Sequence, residues 1–170
     1  MKTRFIAQMG MVAAIYAALT VAIAPIAFGP FQFRIAESLN LLAFFNPIFA
    51  PAVAIGVLVA NLLSPYGIID VILGTSATIL ALLLILATKK LTNSLLLASL
   101  WPTIVNALVI PIVIIIGMAE GFAWASYWFF VGSVGFGQFV VVTLFGYTLC
   151  RVLMAKYPKI IEALKLPFSS

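Results

Sequence analysis

Apolar runs that approach or exceed the ~20 residues a helix needs to cross the hydrocarbon core follow one another from Phe5 to Leu153. Nothing else in the chain constrains its fold as strongly. The fraction of charged residues, 8%, lies far below the roughly 25% of an ordinary soluble domain. An all-α, polytopic membrane protein of one integral membrane domain, 1–170, is therefore predicted, localised to the cell membrane as a multi-pass chain in contact with the lipid bilayer.

The same composition removes several classes of function. Cys150 is the one cysteine and there is no histidine, so neither an internal disulfide nor a Cys/His metal site is expected. No cofactor or metal is implied. With no plausible nucleophile–base pair, a membrane enzyme is disfavoured. The net charge of +5 is spread over short membrane-flanking groups without a continuous patch, which argues against nucleic acid. The first apolar run is too long for a signal-peptide core, and prolines stand where cleavage would fall, at Ala24-Pro25 and Gly29-Pro30, so it is read as retained.

Hydropathy and helix breakers place spans at about Phe5 to Ile26, Ser38 to Phe45, Ile48 to Leu63, Ile68 to Thr88, Leu95 to Gly117 and Ala123 to Met154. Basic residues gather in three groups: Lys2 and Arg4; Lys89 and Lys90; Arg151, Lys156, Lys159 and Lys165. Excess Lys and Arg marks the cytoplasmic side. Putting all three groups there requires an even number of crossings between them, hence six helices with both termini cytoplasmic and a turn at Asn46-Pro47. The segments flanking that turn are short, so a tilted, thin or partly re-entrant pair is expected. Arg34, Glu37, Asp70 and Glu120 then lie toward the outer face. The tail, about 156–170, is expected to be a short amphipathic helix on the cytoplasmic surface.

Ionisable side chains near bilayer depth are costly and usually face a protein interior or solvated pocket. The stretch FGPFQFRIAESLN, 28–40, holds such a group. Arg34, Glu37 and Asn40 recur at a spacing of three, on one helical face, with Gln32 just before them. They offer donors, acceptors and a carboxylate around one volume; a simple Arg34–Glu37 pair closing the loop is the plainer alternative. Asp70 opens the fourth helix, where it also complements the helix dipole. Asn61 reaches the same region. Glu120, Tyr127 and Trp128 surround the last outer loop, where aromatics form an interfacial belt by default but also offer stacking surfaces. Deeper in the bilayer, Asn106 and Gln138 are read first as interhelical hydrogen-bonding groups and second as a ligand floor. In the first helix Gly10, Ala14, Ala18 and Ala22, with Ala13 and Ala17 beside them, make a small-residue stripe that lets another helix approach.

The loop GPFQFRIAESLNLLAFFNP, with QFR-x-x-E at its centre, resembles the signature region of the QueT family of queuosine-precursor S components in energy-coupling factor (ECF) transporters. Length, six-helix topology and the small-residue first helix agree, so the resemblance spans essentially the whole chain. It implies a subunit that captures a 7-deazaguanine from outside, with 7-aminomethyl-7-deazaguanine the first candidate. It also implies docking on a transmembrane coupling subunit driven by two cytoplasmic ATPase subunits, with Ala13, Ala14, Ala17 and Ala18 on the docking helix. A carboxylate accepts the N1–H and exocyclic amine of the guanine edge together, and the base's carbonyl takes a donor. Glu37 is the first candidate for that edge or for the cationic aminomethyl group, with Asp70 and Glu120 competing for the other. Arg34, Asn40, Asn61, Asn106 and Gln138 are candidate donors, and Tyr127 or Trp128 a stacking surface.

The rival reading is a stand-alone secondary transporter or channel for a small cationic or neutral solute, with Glu37 or Asp70 carrying a coupling proton. Against it, the chain shows no paired halves of the kind inverted-repeat carriers display. A purely structural assembly subunit is a further alternative, for which small-molecule binding is not expected.

Overall fold

The computed structural model describes residues 2–118 and 123–165, and every described element is helical. Helix α1, Lys2–Ala22, is followed by the short α2, Ala24–Ala27, with Ile23 at φ −118°, ψ 29° between them. Proline has no N–H to donate and its ring collides with the carbonyl four residues back, so the first run breaks ahead of Pro25 and restarts with that proline in the first turn.

The chain then enters a 3-10 helix, Ile35–Leu41, which passes into α3, Leu42–Phe45. Asn46 is extended (φ −148°, ψ 120°), as the residue before a proline prefers to be. Helix α4, Phe49–Asn61, returns from that turn. The expected short pair on either side of Asn46-Pro47 is thus present, but its first arm is mostly 3-10 rather than α. A 3-10 helix rises about 2.0 Å per residue against about 1.5 Å for an α-helix, so a short segment reaches further through the bundle.

Among the described residues, three helices are long and apolar enough to cross a membrane: Asp70–Leu91, Leu95–Met118 and Trp124–Lys156, of 22, 24 and 33 residues. The first opens as a π-helix, Asp70–Gly74, and continues as α5, Thr75–Leu91. The second is α6, Leu95–Met118, with Pro102 and Pro111 inside it. The third comprises α7, Trp124–Gln138, a π-helix, Phe139–Gly146, and α8, Tyr147–Lys156. Shorter apolar helices cover Ile6–Ala22, Ile35–Phe45 and Phe49–Asn61.

Helix α1 lies along α4, while α5, α6 and α7 pack in sequence. Lipid tails are as apolar as leucine, so close van der Waals approach takes the place of hydrophobic collapse in joining such helices. Gly56 permits that approach: a Cβ there would stand 2.7 Å from Tyr16 Cβ and 2.9 Å from Ala13 O. The 3-10 helix sits at the centre, touching α1, α4, α6, α8 and the π-helix after Gln138. Its Ala36 and Leu41 join Tyr16, Val53, Val57 and Val142 in the main core.

The tail forms α9, Pro158–Lys165. Asn46 Nδ2 donates to Leu164 O at 3.0 Å, so this helix leans on the α3–α4 turn as well as following α8. The last part of the expected amphipathic tail, 166–170, lies outside the described residues.

Candidate functional site

A 3-10 helix has three residues per turn, so side chains three apart eclipse one another. Arg34, at its N-cap, Glu37 and Asn40 therefore stand in one column. Asn40 Nδ2 donates to Glu37 Oε2 at 2.6 Å, and Arg34 Nη1 lies 3.8 Å from Glu37 Oε1. Glu37 Oε1 also accepts from the hydroxyl of Tyr16 on α1, at 2.6 Å. Glu37 and Asn40 are fully buried and Arg34 is 2% exposed.

Asn61, at the end of α4, ties this column to the start of the long helix Asp70–Leu91. Its Oδ1 accepts from Arg34 Nη2 at 2.7 Å. Its Nδ2 donates to Asp70 O at 3.1 Å and Thr75 Oγ1 at 3.2 Å. Arg34 Nη2 lies 3.7 Å from Asp70 Oδ2. One guanidinium thus stands between two carboxyl groups, with Phe28 covering it: Arg34 Cζ is 4.8 Å from that ring's centroid. Tyr66 holds Phe28 in turn, its hydroxyl donating to Phe28 O at 2.7 Å. Burial, and then the Asp70 carboxylate, push the Tyr66 phenol above its usual range, so it is a donor at neutral pH.

A second polar pair joins α6 to α7. Asn106 Nδ2 donates to Gln138 Oε1 at 3.2 Å, and Gln138 Nε2 donates to Gln32 O at 3.3 Å. Gln32 O also accepts from Arg34 N at 2.7 Å, so the loop that carries Arg34 links the two groups. Gln32 has a φ of +51°, a left-handed conformation that a side chain other than glycine, asparagine or aspartate seldom adopts. Gly137 lets this loop lie against α7, since a Cβ there would collide with Phe31 O. Asp70 and Gln138 each border a π-helical segment, a distortion frequent at functional sites.

Three buried polar atoms in or beside these groups have no hydrogen-bond partner among the described residues: Arg34 Nε, Asn40 Oδ1 and Asn106 Oδ1. Buried polar atoms are seldom left this way, and together they offer one donor and two acceptors to a guest.

The structure thus brings together Arg34, Glu37, Asn40, Asn61 and Asp70, and sets Asn106 and Gln138 beside them. Tyr127 and Trp128 are not with them. The Tyr127 hydroxyl donates to Leu108 O at 3.1 Å on an exposed part of the bundle, and Trp128 is 60% exposed. Glu120 lies outside the described residues. On α1, Ala13 is buried, Ala17 half-buried, and Ala14 and Ala18 exposed. Tyr16 and Thr75 were not evident as members of the cluster from sequence. Tyr16 lies in a largely apolar stretch of α1 and Thr75 is one of several threonines in α5, and neither position carries a signal that separates it from packing.

An all-helical bundle with an ionic cluster sunk among apolar helices is a polytopic membrane protein with a polar interior. The sequence model of the family described as "QueT transporter" matches residues 6–155, and the chain belongs to that family, one of transporters and not of enzymes. A curated relative, the queuosine precursor transporter QueT of Lactococcus lactis subsp. cremoris (strain MG1363), is 42% identical over 83 residues. That alignment covers 48% of this chain and 48% of the relative, about half of each. No solved structure matches the chain.

Proposed function

We propose that this chain is the substrate-binding membrane subunit, or S component, of an ATP-driven ECF uptake transporter for a queuosine precursor, 7-aminomethyl-7-deazaguanine above other 7-deazaguanines. It spans the cell membrane with both termini cytoplasmic. Family membership and the name of the Lactococcus relative support the substrate class. The observation that carries the reading is the buried cluster itself, in which one guanidinium faces two carboxyl groups and three polar atoms lack partners.

By formal charge the cluster sums to −1, which a substrate bearing one aminomethyl cation neutralises. The donors of a guanine edge match Asn40 Oδ1 and Asn106 Oδ1, and its carbonyl matches Arg34 Nε. Each oxygen of Glu37 already accepts one hydrogen bond and has a second lone pair to offer. Asp70 is the carboxylate for the aminomethyl group. Entry requires the Phe28–Gln32 loop to swing away from Arg34, releasing the Tyr66 bond. On the first helix, the exposed Ala14 and Ala18 form the face offered to the coupling subunit, with Ala17 at its edge, whereas Ala13 packs toward Gly56. Two cytoplasmic ATPase subunits drive release inward.

The test is to purify the chain and identify retained small molecules by mass spectrometry, then to reconstitute it in liposomes. A retained 7-deazaguanine with no uptake until coupling and ATPase subunits are added is expected. Uptake by the chain alone would favour the secondary-transporter reading, with Glu37 or Asp70 carrying a proton.

A further inference from the structure

Asp70 and Lys89 occupy opposite ends of the helix Asp70–Leu91, roughly 28 Å apart at about 1.5 Å per residue. At the Lys89 end is a pocket of about 340 Å³ that the transport reading does not use. Its wall includes Phe44, Lys89, Asn93, Ser94, Tyr147 and Arg151.

Two cations converge here on neutral partners. Lys89 Nζ donates to Asn93 Oδ1 at 2.6 Å and stands 4.5 Å from the centroid of the Phe44 ring. The Arg151 guanidinium lies 6.0 Å from the centroid of Tyr147. Among the described residues neither cation has a carboxylate within ion-pair distance, and no residue lining the pocket is acidic.

The same wall contains the start of α6. Ser94 Oγ accepts from Leu97 N at 3.3 Å, while Leu95 and Leu96, also in the wall, belong to the first turn, whose amides have no intrahelical acceptor. The positive end of the helix dipole therefore adds to the two side-chain charges. Asn93, at φ +52°, turns the chain so that its amide bonds Thr88 O while its side chain meets Lys89. A general bias of Lys and Arg toward one membrane face accounts for cations at this end of the bundle. It does not account for two of them sharing one acid-free pocket with a helix start.

We infer that this pocket is a binding site for a phosphate group, and that the phosphate is that of an anionic phospholipid. Phe45, Leu95 and Met154 in the wall suit the carbon chain beyond such a headgroup.

The full chain, purified with an equimolar mixture of phosphatidylglycerol and phosphatidylcholine, is examined by native mass spectrometry. We expect phosphatidylglycerol to be retained at least about tenfold over phosphatidylcholine, a difference of 1.4 kcal/mol. Lys89→Gln with Arg151→Gln abolishes the preference, and Lys90→Gln with Lys156→Gln, outside the pocket, preserves it. Arg151→Gln alone, at an exposed side chain, repeats the test if the double variant is not recovered folded. Inorganic phosphate is titrated in parallel. Phosphate binding that the Lys89/Arg151 substitutions remove, without lipid selectivity, assigns the site to a free phosphate and overturns the lipid source alone. No binding of either probe, or binding unchanged in those variants, overturns the proposal.

Discussion

The hydroxyl of Tyr16 donates to Oε1 of Glu37 at 2.6 Å, joining the first helix to the central 3-10 segment inside the bundle. Both residues are fully buried. Hydrogen bonds to charged groups contribute about 1.5–3 kcal/mol in soluble proteins, while interhelical bonds in membranes average about 0.6 and reach about 1.7. Tyr16→Phe is therefore expected to lower stability by about 1–2 kcal/mol. Unfolding of the purified variant in detergent measures this, and an unchanged midpoint would remove Tyr16 from the cluster.

Asn61 satisfies three groups at once, Arg34 Nη2, Asp70 O and Thr75 Oγ1. Asn61→Leu keeps similar bulk but strips Arg34 Nη2 and Thr75 Oγ1 of this partner, while Asp70 O keeps the backbone amide of Thr75. Each buried group left unsatisfied costs about 1–3 kcal/mol, so this variant is expected to be among the least stable single substitutions. Thermal unfolding compared with Leu62→Asn, one residue on at an exposed position, checks it. Equal tolerance of the two changes would mean that Asn61 does not hold the cluster together.

Gly137 is where the backbone of the loop carrying Arg34 comes closest against α7, beside the bonds from Ser133 and Gln138. An added methyl meets the backbone oxygen of Phe31, which has no rotamer with which to escape. Gly137→Ala is expected to displace the loop and reduce binding of 7-aminomethyl-7-deazaguanine by at least about tenfold, with helical circular dichroism unchanged. Gly132→Ala, where nothing lies within 4 Å, is the silent comparison. Matching affinities for the two variants would refute this role for the loop.

Trp128 packs edge-on against Tyr127 and is 60% exposed. Surface substitutions away from special features usually stay within about 0.5 kcal/mol, so Trp128→Ala is expected to leave affinity within about twofold. A large loss in equilibrium binding would bring the outer aromatics back into the substrate site.

Much of the fold was legible because apolar runs and prolines act locally. Pro25 ends the first helix and Asn46-Pro47 turns the short pair, each through its own backbone restriction. The column of Arg34, Glu37 and Asn40 was legible from its spacing of three, which an α-helix tolerates and a 3-10 helix aligns. The choice of 3-10 over α was not, because it depends on how the segment fits among α1, α6 and the π-helix after Gln138. Tyr16 escaped notice for the same reason: its partner Glu37 is distant in sequence, and a tyrosine in an apolar helix carries no mark of a polar contact. The left-handed Gln32 is likewise held by Gln138 and Gly137 from another helix. Tyr127 and Trp128 were grouped with the acids by their nearness to an outer loop; in the structure the Tyr127 hydroxyl bonds Leu108 O and Trp128 is largely exposed.

The buried column as the proposed substrate site is tested most directly by titration calorimetry of the purified chain with 7-aminomethyl-7-deazaguanine. One-to-one binding is expected, weakened at least about tenfold by Glu37→Gln in a protein that still unfolds cooperatively. Equal affinity for the unaltered chain and a folded Glu37→Gln variant, or no binding by the unaltered chain, would contradict it.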